Sequence, residues 1–127
     1  MAVRKIEIKK SYEEVEIGDS IYKIPFDDDS LKKYESFSKE YYAAVKKLEK
    51  VNVNNASDKQ LEQLELENER LTKQAIEMFL GEGTYSHIYE QAGRSVFVVA
   101  EIVFSLLEVV EEKFQDFQNR GKKYYTK

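Results

Sequence analysis

Few residues in this sequence are able to do chemistry, and their spacing works against it. His87 is the only histidine, and Glu90 follows three positions later, a spacing that favours a local ion pair or a packing contact over catalysis. One histidine in a chain without cysteine cannot assemble the several nitrogen or sulfur ligands that a transition metal takes. Asp27, Asp28 and Asp29 are consecutive. On an extended segment they cannot all face one ion, and they lack the internal glycine and distal glutamate of a calcium-binding loop. They suit the N-terminal end of a helix instead. "GEGTY", Gly81 to Tyr85, has the glycine content of a phosphate cradle, but it follows a helical pattern rather than a strand and lacks a GK[ST] continuation. The expectation is a chain with no catalytic residues, no metal and no cofactor, which acts by binding and is not an enzyme.

The elements that would position a binding surface are more legible. A chain of 127 residues fits one domain that buries roughly two-thirds of its unfolded surface. The lack of cysteine is in keeping with a reducing compartment, and "MAVRKIEIKK" shows no continuous apolar run of a secretory signal. The longest apolar segment, residues 96–110, carries Glu101, Ser105 and Glu108 and falls short of the roughly 20 apolar residues that a bilayer span needs. A cytoplasmic protein without a membrane helix is expected. Residues 61–119 hold four basic against twelve acidic residues, whereas 120–127 hold four basic residues and no acid. The acidic body opposes nucleic-acid binding, and the basic 120–127 is read as a flexible tail suited to an acidic partner.

The expected fold is α+β and mainly α: a small N-terminal antiparallel sheet or hairpin followed by three longer helices and one short connector helix, all in one domain. Val3, Ile6 and Ile8, then Val15 and Ile17, then Ile21, Tyr22 and Ile24 give short alternating patterns within 1–26, with a turn at Gly18-Asp19-Ser20. Pro25 ends the last strand. A first helix is expected over 29–51, its apolar face formed by Leu31, Tyr34, Tyr41, Val45 and Leu48 and widened by Phe37 and Ala44. After "NVNNASD", Ser57 or Asp58 caps a second helix over 58–80 with Leu61, Leu64, Leu71, Ala75 and Met78/Phe79 in a stripe. Gly81, Gly83 and Gly93 punctuate the connector, Gly81 and Gly93 as left-handed residues closing helices, with a short helix over 84–92 capped by Thr84 or Ser86.

Ser95 then caps a helix over 95–119. Its polar positions Glu101, Ser105, Glu108 and Glu112 gather into one stripe, while Val99, Val103, Leu106, Val110, Phe114 and Phe117 face the other way. Val98, Ile102 and Val109 extend the apolar arc around the flank. Either the rest of the chain covers this arc, or the flank meets another protein or a second copy. On the second reading the partner-binding residues are Val98, Ile102, Val109, Tyr85 and Tyr89, since tyrosine suits interfaces as well as core edges.

The segment "LGEGTYSHIYEQAGRS" leading into "VFVVAEIVFSLLEVVEEKFQ", together with "EIGDSIYKIPFDDDSLKKY" near the N-terminus, resembles tail assembly chaperones of long-tailed phages, or prophages, of Gram-positive bacteria. The resemblance implies a mainly helical protein that binds the very long tape measure protein and keeps it soluble in the host bacterial cytoplasm until the tail tube assembles, without entering the mature virion. It also implies that an extended form, made by frameshifting near the end of the reading frame, recruits tail tube protein; Arg120-Gly121-Lys122 is compatible with a slippery codon run. The alternative is a structural or adaptor virion protein whose apolar helix forms a stable homo-oligomer.

Overall fold

The computed structural model describes residues 2–51 and 54–125, with side chains as far as Lys122. Among the described residues the chain forms an antiparallel hairpin, β1 (Tyr12–Ile17) and β2 (Ser20–Pro25), then four helices: α1 (Asp28–Lys50), α2 (Asp58–Leu80), α3 (Tyr85–Gln91) and α4 (Val96–Tyr125). This is the expected α+β, mainly helical class. No helix of the described residues is long and apolar enough to cross a membrane.

Three of the four helices start where a side chain supplies a cap. Asp27 accepts from the Ser30 backbone N–H and from its hydroxyl, the latter at 2.6 Å; the hydroxyl bond holds the Asp27 carboxyl below its ordinary range. Ser57 and Gln60 form a reciprocal capping box at the start of α2, satisfying two otherwise orphaned donors. Ser95 Oγ accepts from the Val98 N–H at the start of α4. Thr84 precedes α3 but makes no side-chain cap; its hydroxyl donates back to the Gly81 carbonyl at 2.7 Å.

The connector glycines differ from one another. Gly93 (φ 70°) and Arg94 follow α3, with the Gly93 N–H bonded to the Glu90 carbonyl and the Arg94 N–H to the Tyr89 carbonyl. That is a Schellman closure with Gly93 at its left-handed position. Gly81, expected to be left-handed as well, instead has φ 118° and ψ 157°, a region that essentially only glycine enters. Its N–H bonds the Glu77 carbonyl, and the Glu77 carboxylate accepts from the Gly83 N–H at 3.0 Å. The side chain of Glu77 thus holds the turn that the glycines permit.

Helix α2 is the hub, packing against α1, α3, α4 and β2. Leu71, Ala75, Ile76 and Phe79 of α2 are buried with Tyr34, Phe37 and Tyr41 of α1, Ile88 of α3, Val99, Val103 and Leu106 of α4 and Ile24 of β2. Tyr34 and Phe79 rings meet at 4.7 Å between centroids. Across the hairpin Val15 pairs with Tyr22 and Glu13 with Ile24, so one face of the ribbon lies on the helices while Glu14, Glu16 and Ile21 look outward.

Three expectations fail. The alternation of Val3, Ile6 and Ile8 does not yield a strand: residues 2–10 form no helix or strand and are exposed, because period-two patterning supplies a preference and not a partner edge. The predicted tail does not separate at residue 120, since α4 continues to Tyr125; residues 126–127 lie outside the described residues. Phe114 and Phe117 continue the apolar stripe but are exposed, Phe117 to 78%. A helix of 30 residues is about 45 Å long, whereas the 23 residues of α1 or α2 span roughly 35 Å. The stripe therefore outruns the body that would bury it.

Candidate functional site

The residues of α4 divide into three arcs. Val99, Val103, Leu106 and Val110 form the buried arc. At 3.6 residues per turn, Val98, Ile102 and Val109 lie on one side of that arc, and Phe104, Leu107 and Phe114 on the other. The first flank is narrower than its sequence implies. Val98 is 41% exposed, but Ile102 packs against the core and Val109 is half-buried.

The second flank faces α1. Tyr34 and Tyr42 line a cleft with Leu107, Val110 and Phe114, Tyr41 meets Phe104 edge-on at 5.6 Å, and Leu48 and Val51 share a hollow with Phe97. Early α1 thus lies beside late α4 and late α1 beside early α4, so the two helices run in opposite directions. The cleft between them has a volume of about 700 Å3 and is bordered by Glu35, Lys39 and Glu111. Tyr42 and Phe114 are exposed along it; farther along α4, Phe104 is exposed beside Tyr41, and Phe97 is 81% exposed at the separate hollow it shares with Leu48, Val51 and Leu64. From Phe97 to Phe114 the α4 axis advances about 25 Å. A second hollow of about 400 Å3 opens between α1 and α2 around Ala44, Val45, Leu48 and Leu64, where the two helices spread apart.

Acidic residues accompany these rings. Glu101 and Glu108 alternate with Phe97 and Phe104 at spacings of four, three and four, giving one mixed aromatic and acidic stripe, with Glu111 and Glu112 beyond. At the separate α1–α2 hollow, which Glu40 and Glu67 line, Arg70 of α2 bonds Glu67 at 2.7 Å and reaches Glu40 of α1 at 3.2 Å. The adjacent guanidinium lowers the Glu67 carboxyl below its ordinary range.

Two of the expected partner-binding residues are placed differently. Tyr85 is only 8% exposed and its hydroxyl is buried without a hydrogen-bond partner; desolvation raises its phenol above the usual range. It is a core residue of α3, stacked on Tyr89 at 5.6 Å, and cannot meet a partner. Tyr89 is half-buried beneath Arg94. His87 pairs with Asp19 of the hairpin turn at 3.0 Å and not with Glu90, which instead lies 3.9 Å from Arg94. The His87 contact depresses Asp19 to about 2, with Ser20 and Gln91 adding hydrogen bonds. Gly81 and Gly83 lie in the turn from α2 to α3, and Gly93 in the turn from α3 to α4. Among the described residues no three carboxylate or imidazole groups converge in a metal-binding arrangement.

Phe97 and Phe104 were not signalled by the apolar stripe, since they interrupt the polar one. The available signal was their seven-residue spacing within the arc of Glu101, Ser105 and Glu108, a solvent face that carries two phenyl rings. Comparison with protein-family models, curated proteins and solved structures yields no match for this chain.

Proposed function

We propose that the chain is a binding chaperone that seats an amphipathic helix of a phage tape measure protein along the α1–α4 cleft, keeping that partner soluble until the tail tube assembles. The observation that supports this reading is the set of exposed rings on α4 and α1: Tyr42 and Phe114 in the cleft between these antiparallel helices, Phe104 beside Tyr41, and Phe97 at a neighbouring hollow. Contiguous apolar surface of this kind marks interaction sites, and a groove between two helices accommodates the apolar face of a third. A length of about 25 Å matches between four and five helical turns. The acidic rim of α4 favours a helix flanked by lysine or arginine and disfavours pairing between copies through the same acidic stripe. A tape measure protein, being a long helical polymer with apolar stripes, needs such cover before assembly. The likeness of the glycine connector to tail assembly chaperones adds the choice of partner.

The test begins with the genes flanking this one: a long reading frame with tape measure features is sought there, its product is co-expressed with the tagged chain for affinity purification, and finished virions are analysed by proteomics. The expected result is a soluble complex of the two and no copy of this chain in the virion. A tape measure protein that remains insoluble, or a virion containing this chain in stoichiometric amount, overturns the reading, the latter in favour of a structural role.

A further inference from the structure

The N-terminal arm and the hairpin it leads into are complementary. Residues 2–10 belong to no helix or strand and are exposed, with Ile6 at 86% and Ile8 at 98%. Next to them β1 belongs to a sheet of only two strands, so its outward edge is left without a ladder. The arm carries Arg4, Lys5, Lys9 and Lys10 against Glu7; β1 carries Glu13, Glu14 and Glu16 and no base. Both segments alternate. Ile6 and Ile8 share one face of the arm, opposite Lys5, Glu7 and Lys9. Val15 and Ile17 of β1 pack toward the core while Glu14 and Glu16 are exposed.

An antiparallel register that sets Ile8 against Val15 and Ile6 against Ile17 also sets Lys9 against Glu14 and Lys10 against Glu13. One mismatch remains, Glu7 against Glu16. Within one chain this register would require Ser11 and Tyr12 to form the turn. Both are already committed to the hairpin: Tyr12 pairs with Pro25, and the Ser11 carbonyl accepts the Phe26 N–H at 2.6 Å. The chain bends at Ser11, where Lys9 comes beside Lys113 and Phe117 of α4, and cannot use Ser11 and Tyr12 as the turn that would fold it back on β1.

We infer that the arm adds as a third strand to β1 of a second copy of this chain, in a reciprocal, two-fold exchange that makes the protein a dimer. Strand addition to an open edge takes its affinity from main-chain bonds and its register from alternate side chains, and a two-fold exchange closes without leaving a free arm. The surface is separate from the α1–α4 cleft, so the dimer and the chaperone reading stand or fall independently.

The experiment is sedimentation equilibrium of the full chain, beside the double variant Ile6→Lys with Ile8→Lys and the single variant Glu7→Lys. The wild type is expected to be a dimer. The double variant, altered only at side chains already in solvent, is expected to weaken dimerisation by about tenfold or more with an unchanged circular-dichroism melt. Glu7→Lys removes the like-charge pair and is expected to tighten the dimer. Because the chain has no cysteine, Lys9→Cys combined with Glu14→Cys is expected to give a covalent dimer on mild oxidation. A monomeric wild type, a dimer indifferent to the Ile6 and Ile8 changes, or a disulfide formed within one chain overturns the inference.

Discussion

The hydroxyl of Tyr34, in the second turn of α1, donates to the carbonyl of Pro25, the last residue of β2, at 2.7 Å. Tyr34 is buried and packs at a tilt against Phe79, so one side chain ties the hairpin to α1 and both to the hub helix. Tyr34→Phe keeps the ring and leaves that carbonyl without its donor, with an expected loss of about 1 kcal/mol in urea unfolding. Burial pushes the Tyr34 phenol up to about 12 from 10.0. Since the native state favours the protonated form, its contribution to stability is full below pH 10 and is lost as the pH rises through about 12. Burial raises the Tyr41 and Tyr85 phenols as well, so ultraviolet titration should show late tyrosinate absorbance appearing together with unfolding, and Tyr34→Phe should remove one tyrosine's share of it.

Asp19 and His87 make the corresponding link at the other end of the hairpin. With its carboxyl depressed from 3.8 to about 2, Asp19 favours the folded state above pH 3.8, and that preference is lost as the pH falls through about 2. Both side chains are more than half exposed, so the effect on global stability is small. The measurement is carbon-detected NMR of the Asp19 carboxyl. In His87→Gln its midpoint should climb toward 3.8, and an unchanged midpoint would refute the assignment of the shift to His87.

How much of this was readable beforehand depends on the range over which the cause acts. The Ser57–Gln60 capping box, the Asp27 cap and the Gly93 closure rest on residues within a few positions of each other, and the sequence displays them directly. The burial of Val99, Val103 and Leu106 follows from periodicity. The His87–Asp19 pair joins residues 68 positions apart, and nothing in "HIYE" points to the hairpin. Exposure of Phe114 and Phe117 depends on α4 outlasting its neighbours, a property of three helices together. The α1–α4 cleft was hidden for the same reason: Tyr42 lies on α1, Phe104 within the acidic stripe of α4, and only the antiparallel packing makes them one surface.

Two buried hydroxyls offer a test in the stabilising direction. Thr72 of α2 and Tyr85 of α3 are buried with no hydrogen-bond partner for their oxygens. Each carries a desolvation cost that an apolar replacement of the same shape removes. Thr72→Val and Tyr85→Phe are each expected to raise stability by about 1 kcal/mol, read as a higher denaturation midpoint with an unchanged slope. Tyr85→Phe should leave partner binding as it was.

The connector glycines separate by the conformation each holds. Gly81→Ala forces a side chain into a region reserved for glycine and should cost roughly 2 kcal/mol. Gly93→Ala meets only the left-handed penalty, about 1 kcal/mol; an added Cβ there has no atom within 4 Å. Arg94 has φ 61° without being glycine, and its ion pair with Glu90 is exposed and 3.9 Å long. Arg94→Gly should therefore stabilise the fold modestly. Thermal melts of the three variants test this order, and a Gly93→Ala loss larger than that of Gly81→Ala would reverse it.

The proposed cleft predicts that binding and folding respond to different positions along one helix. Phe97→Asp alters a ring that is 81% exposed, so its melt should shift little, while Phe104→Asp also gives up the edge contact with buried Tyr41 and should melt somewhat earlier; in both an apolar helix loses its contact surface and meets added charge beside Glu101 and Glu108. Affinity for the tape measure segment should fall by at least about tenfold, the equivalent of 1.4 kcal/mol. Val103→Asp, one position earlier than Phe104 and fully buried, should unfold the domain by burying an unpaired carboxylate. Val98→Asp, on the other flank, is the internal control and should leave both measurements near wild type. Binding that is lost with Val98→Asp and retained with Phe104→Asp would move the docking surface to the opposite side of α4.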